Sequence, residues 1–162
     1  MNYLTEAKNL ELDQIKTSII HSQIISSKPI LKQIYADYYQ FFNSQLKRCP
    51  QGPKVELGSG GGFIKEFMPE IFTSDLVPLP KCDLITSATN LPFQDCSVAA
   101  IMLVNVFHHI DNVFDFLKES ERILLPGGYL LMIEPEKSSK YSSSFTIQIF
   151  LRLHKNIIFC HS

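Results

Sequence analysis

A run of glycines directly after a short strand pattern constrains this chain most. Lys54–Leu57 alternates polar and apolar residues as a strand does, and Gly58-Ser59-Gly60-Gly61-Gly62 follows at once. Glycines at 58, 60 and 62 let the backbone turn sharply and let a ligand approach the main chain without interference from a Cβ atom. In open α/β sheets such loops lie at the carboxyl ends of central strands, where ligands bind. The pattern therefore predicts an α/β fold with a ligand site at this loop.

Strand and helix patterns alternate after the loop. Four further segments have the length and apolar content of strands: Ile71–Asp75, Cys82–Ile85, Ala99–Val104 and Tyr129–Glu134. The segment Ala99–Val104 is apolar on both faces, which is typical of a central parallel strand with helices above and below it. A helical pattern over residues 113–124 ends at Pro126-Gly127-Gly128. The alternation predicts an open, mostly parallel α/β sheet with helices on both faces.

The first 48 residues have a helical pattern. Apolar residues recur at helical spacing within residues 8–27 and again after Pro29, and a break rich in turn formers follows at residues 49–53. We expect an N-terminal helical extension over residues 1–48 and the main domain over residues 49–162. An aromatic face on the second helix admits two interpretations, core packing or the roof of an apolar ligand pocket. Its members are Tyr35, Tyr38, Tyr39, Phe41 and Phe42.

Composition excludes several classes of function. The 162 residues include 15 basic and 16 acidic ones, so the chain lacks the positive charge that attracts nucleic acid or anionic membranes. The longest strictly apolar stretch, Val98–Val104, is too short to cross a bilayer. The N-terminus lacks the pattern of a signal peptide, and the four cysteines lack metal-ligand spacing. We therefore expect a cytoplasmic protein with no membrane span, no bound metal and no nucleic-acid partner.

Asp75 strengthens the prediction of a ligand site. It ends the second predicted strand, 17 residues after Gly58, about where a carboxylate accepts hydrogen bonds from both hydroxyls of a bound ribose. A solvated turn aspartate is the alternative. Phe63 stands at the third glycine position of the dinucleotide fingerprint, and the Gly-Lys-Ser/Thr of a P-loop is absent. These departures disfavour an NAD-dependent enzyme and a P-loop protein.

Four ordered motifs resemble those of the class I S-adenosylmethionine-dependent methyltransferases. Glu56-x-Gly58-x-Gly60-x-Gly62 resembles their first motif, and Asp75 matches their acidic ribose residue. Asn90-Leu91-Pro92-Phe93-x-Asp95 is similar to the segment after the third strand in the type 11 branch, and Arg122–Gly128 is similar to the motif before strand five. The resemblance covers about residues 54–135. It implies a Rossmann-like fold, S-adenosyl-L-methionine as cofactor and methyl transfer as the reaction.

The resemblance also implies cofactor contacts at ten positions. They are Glu56, Gly58, Ser59, Gly60, Gly62, Asp75, Leu76, Ser87, Ala88 and Asn105. In this scheme Glu56 supports the loop and the methionine amino group, Asp75 holds the ribose, and Leu76 lies against the adenine. Ser87-Ala88 stands where many relatives have Asp-Ala. Serine supplies no carboxylate to the adenine amino group, so this contact departs from the family pattern.

His108 and His109 follow the fourth predicted strand at the expected mouth of the site. Imidazole is a base near neutral pH, and methyl transfer needs a base only if the acceptor starts protonated. Hydrogen bonding of one histidine to the neighbouring helix is the alternative. The fourth strand ends in Asn105-Val106-Phe107-His108, so the Asn/Asp-Pro-Pro-Tyr signature of amide-nitrogen methylases is absent. We therefore expect a small-molecule acceptor.

The last part of the chain is short for the implied family. Relatives continue with two antiparallel strands beside strand five, whereas only 28 residues follow Glu134 here. We expect a truncated fold that lacks these two strands, with an exposed edge at strand five through which the chain self-associates. Two functions stay open on this basis. One is an active methyltransferase, and the other is a non-catalytic remnant or interaction module that retains the cofactor pocket.

Overall fold

The computed structural model describes residues 15–135 in full and residues 145–153 and 156–161 as backbone. These parts of the chain contain three α-helices, two 3₁₀ turns and seven strands. In chain order the elements are α1 (Ile15–Ser27), α2 (Pro29–Leu46), β1 (Lys54–Leu57), a 3₁₀ turn (Phe63–Glu66), β2 (Phe72–Asp75), β3 (Leu84–Ile85), β4 (Val98–Val104), a 3₁₀ turn (Phe107–His109), α3 (Val113–Ile123), β5 (Leu124–Pro135), β6 (Phe145–Leu153) and β7 (Asn156–His161).

The seven strands form one sheet in the order β3-β2-β1-β4-β5-β6-β7. Strands β1 to β5 are parallel to one another, and β6 and β7 are antiparallel additions beside β5. The chain order reverses direction across the sheet between β1 and β4, and such switch points are where open α/β sheets bind ligands. The predicted open, mostly parallel α/β sheet is confirmed.

The expected absence of the last two strands is wrong. β6 pairs with β5 from Tyr129 opposite Leu151 to Pro135 opposite Phe145, and β7 pairs with β6 in turn. The nine residues of β6 are enough to run along β5, so the short tail still extends the sheet. The expected exposed edge at β5 is wrong for the same reason, and self-association through that edge loses its physical basis.

Helices cover both faces of the sheet, as the apolar pattern of the fourth strand predicts. All seven residues of β4 are buried. Alternate residues point to opposite faces of a strand, so Ile101 lies in one buried cluster with Phe116 of α3, while Met102 lies in another with Phe42 of α2. The two clusters are the core of the domain, and β4 passes between them.

The break between the two N-terminal helices lies where the sequence pattern indicates, between Ser27 and Pro29. α2 has Pro29 in its first turn, where the missing N–H would have no partner within the helix. Its residues Tyr39 and Phe42 are buried against the sheet. Among the described residues, no helix has the length and apolar content that spanning a membrane requires. Residues 1–14 of the predicted extension lie outside the described residues, and the domain boundary after residue 48 stays a prediction.

Two of the sequence motifs, Asn90–Asp95 and Arg122–Gly128, contact each other near the C-terminal end of α3. The N–H of Leu91 donates to Oε1 of Glu119 at 2.6 Å. The guanidinium of Arg122 donates to the carbonyls of Leu91 and Phe93 at 3.1 and 2.8 Å, and to Oδ1 of Asp95 at 2.8 Å. These bonds fasten the segment after β3 to α3.

Candidate functional site

A cavity of about 660 Å³ lies at the carboxyl ends of β1, β2 and β4. The parallel strands place there residues that are far apart in the sequence. Of the twelve residues that the sequence analysis assigns to the site, Gly62 alone does not line this cavity. The other eleven line it: Glu56, Gly58, Ser59, Gly60, Asp75, Leu76, Ser87, Ala88, Asn105, His108 and His109.

The loop after β1 takes its shape from a glycine that no other residue could replace without strain. Gly58 has φ of +64°, and a Cβ atom there would lie 2.5 Å from Cγ2 of Val106. The next side chain anchors the loop to the sheet. Oγ of Ser59 donates to the carbonyl of Glu56 at 3.0 Å and accepts from the N–H of Ser74 at 3.2 Å. The loop is therefore tied to both β1 and β2.

Gly61, and not Gly62, contributes to the cavity wall. A Cβ atom on Gly61 would lie 2.5 Å from Oγ of Ser22, so α1 lies directly against the loop at this point. Gly62 has φ of +63°, and a Cβ atom there would lie 2.5 Å from Cβ of Lys81. Gly62 is thus required for packing against the segment between β2 and β3. The alternating glycine motif does not predict that Gly61 lines the cavity in place of Gly62.

Asp75 ends β2 and contacts the glycine loop. Its Oδ2 accepts a hydrogen bond of 3.0 Å from the N–H of Gly60, and its Oδ1 accepts one of 3.4 Å from the N–H of Val77. An ionised carboxylate has about four acceptor sites, so it can bind further donors. Asp75 is half-buried and lines the cavity. It has the position and the acceptor capacity that holding a ribose diol requires.

Two side-chain oxygens buried at the cavity have no hydrogen-bond partner among the described residues. They are Oε2 of Glu56 and Oδ1 of Asn105. Glu56 is 2% exposed, and burial raises the pKa of its carboxyl to about 7, although hydrogen bonding to Ser59 and Tyr39 opposes the rise. A buried acceptor without a donor costs free energy. Both oxygens therefore suit a ligand that donates hydrogen bonds, such as one with an ammonium group.

Asn105 occupies a backbone conformation that few residue types accept. Its φ is +57°, in the left-handed region that asparagine tolerates better than most residues. Its N–H donates to the carbonyl of Ile133 at 2.8 Å, which ties the end of β4 to β5. Burial raises the pKa of the nearby Tyr35 hydroxyl, and a hydrogen bond with the Asn105 side chain opposes this rise. The site therefore includes the hydroxyl group of Tyr35, on α2, beside the side chain of Asn105.

The aromatic face of α2 serves both of the purposes that the sequence left open. Phe42 is fully buried in the core. Tyr35 and Tyr39 line the cavity, and the ring of Tyr35 lies 5.5 Å from the ring of Phe63, centroid to centroid. The same helix thus packs on the sheet and forms part of the cavity wall.

The two histidines lie in the 3₁₀ turn after β4, with ring centroids 4.0 Å apart. Nδ1 of His108 is 2.5 Å from Oε2 of Glu134 near the end of β5. Oε1 of the same carboxylate accepts from the N–H groups of Val106 at 2.9 Å and Phe107 at 2.8 Å. His108 is therefore hydrogen-bonded to a strand residue and not to the neighbouring helix. Sequence reasoning missed Glu134, because its contact depends on the pairing of β4 with β5.

Sequence reasoning also missed most of the wall that the helices supply. The described lining residues that the sequence analysis did not indicate are Ser18, His21, Ser22, Ile24, Ile25, Thr86, Thr89, Ile110, Asp111 and Asn112, together with residues 57, 61, 63, 74, 104 and 106. Helical periodicity marks the apolar members only as core candidates. None of the described lining residues is a lysine or an arginine. No three metal-ligating side chains cluster within the described ranges.

Comparison with known proteins finds a family model that matches part of the chain. Residues 55–132 match the family model described as "Methyltransferase domain", of type 11. Over 63 residues the chain is 38% identical to phthiotriol/phenolphthiotriol dimycocerosates methyltransferase 1 of Mycobacterium ulcerans (strain Agy99). That match covers 38% of this chain and 23% of the mycobacterial protein, so the two share a segment only.

Solved structures agree with the family match at the level of fold. A S-adenosylmethionine-dependent methyltransferase from Aquifex aeolicus superposes with a TM-score of 0.54 at 17% identity, over 65% of this chain and 68% of that one. A candidate S-adenosyl-L-methionine-dependent methyltransferase from Methanococcus maripaludis superposes with a TM-score of 0.61 at 13% identity, over 79% and 67%. Residues 55–132, just under half of the chain, therefore match the type 11 methyltransferase domain, and the solved structures agree with that match in fold.

Proposed function

We propose that this protein transfers a methyl group from S-adenosyl-L-methionine to a small-molecule acceptor. The observation that carries the proposal is one cavity that joins the glycine loop, the ribose candidate Asp75 and the two unpartnered oxygens of Glu56 and Asn105. A cavity of about 660 Å³ falls within the usual range for small-molecule sites, about 300–1,000 Å³.

The residues present fit the cofactor at its amino-acid and ribose ends. Glu56 and Asn105 each offer a buried oxygen to a donor, and an ammonium group would supply the missing hydrogen bonds. Asp75 offers its free acceptor sites to the ribose hydroxyls, while Gly58 and Gly60 leave the main chain open to the ligand. When bound, S-adenosyl-L-methionine supplies a methyl group activated by attachment to a positively charged sulfur.

The adenine end is held mainly by apolar contact. Leu76 is 59% exposed at the cavity, and Ala88 lies on the segment after β3. Oγ of Ser87 is 2.9 Å from Oγ1 of Thr89 and accepts from the N–H of Thr89 at 3.3 Å. Because the Ser87 hydroxyl is engaged within its own turn and has no charge, it is a weak partner for an adenine amino group.

The residues that line the cavity help to exclude water, and they favour methyl acceptors without strong negative charge. α1 and the tyrosines Tyr35 and Tyr39 cover the loop side of the cavity. Removing water helps because displacement at a methyl group depends on alignment and on a dry site. Three histidines, His21, His108 and His109, line the cavity with no lysine or arginine among the described lining residues. This lining favours an acceptor without strong negative charge.

Two measurements test the proposal. Isothermal titration calorimetry with S-adenosylhomocysteine should show binding, and NAD at the same concentration should show none. Transfer of a radiolabelled methyl group is then followed with mixtures of small hydroxyl and amine compounds. Binding together with transfer supports the proposal. Binding without transfer in any mixture favours the non-catalytic module, and an absence of binding overturns both.

A further inference from the structure

We propose that Glu134 is a positioning residue that fixes His108 with its proton on Nδ1 and leaves Nε2 as the proton acceptor of the site. The role in catalysis rests on the proposed methyl transfer, whereas the tautomer is a property of the chain itself. Neither Glu134 nor its pairing with His108 follows from the sequence motifs. The geometry around one carboxylate carries the inference.

The first step is the contact between the two side chains. Oε2 of Glu134 lies 2.5 Å from Nδ1 of His108, so the two side chains are hydrogen-bonded. The Glu134 side chain is 12% exposed and the His108 side chain 32% exposed. An ionised carboxylate only accepts hydrogen bonds, so Nδ1 must be the donor. In a neutral imidazole the other nitrogen, Nε2, is then the acceptor.

The second step is that the carboxylate itself is held in place. Oε1 accepts from two consecutive backbone N–H groups, those of Val106 and Phe107, at 2.9 and 2.8 Å. The parallel pairing of Val104 with Ile133 brings Glu134 beside this turn. With one oxygen fixed by two backbone donors, the other is directed at His108. The same carboxylate thus shapes the turn and orients the ring.

The third step separates the two histidines. Both line the cavity, and their rings lie 4.0 Å apart. Among the described residues, Glu134 is hydrogen-bonded to His108, and no carboxylate is hydrogen-bonded to His109. A base that gains a proton becomes a cation, and an adjacent carboxylate stabilises that cation. The structure therefore favours His108 over His109 as the base.

The chemistry that follows defines the acceptor. Nε2 of His108 accepts a proton from the reacting hydroxyl or ammonium group, and the electron pair of the broken bond stays on the acceptor atom as its nucleophilic pair. The positive charge on the ring is balanced by Glu134, and solvent takes the proton after the product leaves. An oriented base is useful only for an acceptor whose reacting atom carries a proton. We therefore infer a hydroxyl or ammonium acceptor.

The Glu134→Gln variant separates orientation from folding. The amide oxygen of glutamine can still accept from Val106 and Phe107, whereas its NH₂ group would donate to Nδ1 of His108. The proton of the neutral ring would then move to Nε2, and the base would be lost. Glu70→Gln is the matched control, because Glu70 is exposed and does not line the cavity.

Nitrogen-15 NMR of histidine-labelled protein, at a pH where the ring is neutral, reads the tautomer directly. We expect Nδ1–H for His108 in the wild type and in Glu70→Gln, and Nε2–H in Glu134→Gln. In methyl-transfer assays we expect kcat to fall by about 10²-fold to 10⁴-fold in Glu134→Gln. S-adenosylhomocysteine affinity should stay unchanged in both variants.

Each outcome decides the proposal. A wild-type His108 with its proton on Nε2 overturns it, and this spectrum suffices even if Glu134→Gln fails to fold. The expected tautomers with an unchanged kcat and pH profile in Glu134→Gln overturn the catalytic role. The expected tautomers without S-adenosylhomocysteine binding in the wild type leave the orientation supported and count against the proposed function instead. The two failures are therefore distinguishable.

Discussion

The N–H of Gly60 donates a hydrogen bond of 3.0 Å to Oδ2 of Asp75, which joins the glycine loop to the end of β2. The residue that would hold the ribose therefore also holds the loop that would line the amino-acid end of the cofactor. A change at Asp75 affects both, and the choice of replacement separates the two effects.

We predict that Asp75→Asn weakens ligand binding without unfolding the protein. Asparagine keeps an oxygen for the N–H of Gly60 but lacks the charge that strengthens hydrogen bonds to ribose hydroxyls. A hydrogen bond to a charged group contributes about 1.5–3 kcal/mol, so the affinity for S-adenosylhomocysteine should fall about 10-fold to 100-fold. Calorimetry measures the affinity and thermal melting the stability. Asp37→Asn on the exposed side of α2 is the control, and equal affinities in the two variants would contradict the ribose role.

We predict that Gly58→Ala costs more stability than Gly127→Ala. Both glycines have positive φ, +64° and +77°, so alanine is strained at either position. At Gly58 the new Cβ would also lie 2.5 Å from Val106, while Gly127 has open space. Overpacking adds about 1–3 kcal/mol, which urea unfolding resolves. The double variant Gly58→Ala/Val106→Ala should recover this difference, and a failure to do so would show that the contact with Val106 is not the cause.

Local sequence patterns predicted the parts of the fold that local patterns encode. The apolar run of β4 required cover on both faces, and the structure provides it with Phe116 on one side and Phe42 on the other. The glycine loop indicated the end of the sheet at which the cavity lies. The length of the tail relative to the implied family does not predict the last two strands correctly. The nine residues of β6 suffice to pair along β5.

The sequence predicted the site residues that a single motif specifies. It did not predict those whose role depends on contact between two distant segments. Asp75 and Asn105 follow directly from strand ends, and both line the cavity. The partnership of Glu134 with His108 joins residues 26 positions apart and depends on strand register. The presence of Gly61 in the cavity wall, where Gly62 was expected, likewise depends on contacts with distant segments, at Ser22 and Lys81. Periodicity and motif spacing do not predict contacts between residues that are distant in the sequence.

We predict that Arg122 controls the order of the segment that carries Ser87 and Ala88. Its guanidinium holds Leu91 and Asp95 through a planar fork that lysine cannot reproduce. Arg122→Lys should lower the melting temperature and speed amide hydrogen exchange within residues 86–95. Affinity for S-adenosylhomocysteine should fall as well. Lys118→Ala, on the exposed side of the same helix, should change none of these quantities. Unchanged exchange in Arg122→Lys would show that the segment is ordered by other contacts.

We predict that Glu56 makes stability fall as the pH rises. Burial raises the pKa of its carboxyl from 4.5 to about 7, so the native state binds a proton that the unfolded chain has already released over that range. At about 1.36 kcal/mol per pH unit, the free energy of unfolding should drop by about 3 kcal/mol between pH 4.5 and 7. Urea unfolding across this range measures the loss, and the neutral Glu56→Gln variant corrects for every other titrating group. If wild type and variant lose equal stability, ionisation of Glu56 is not its cause.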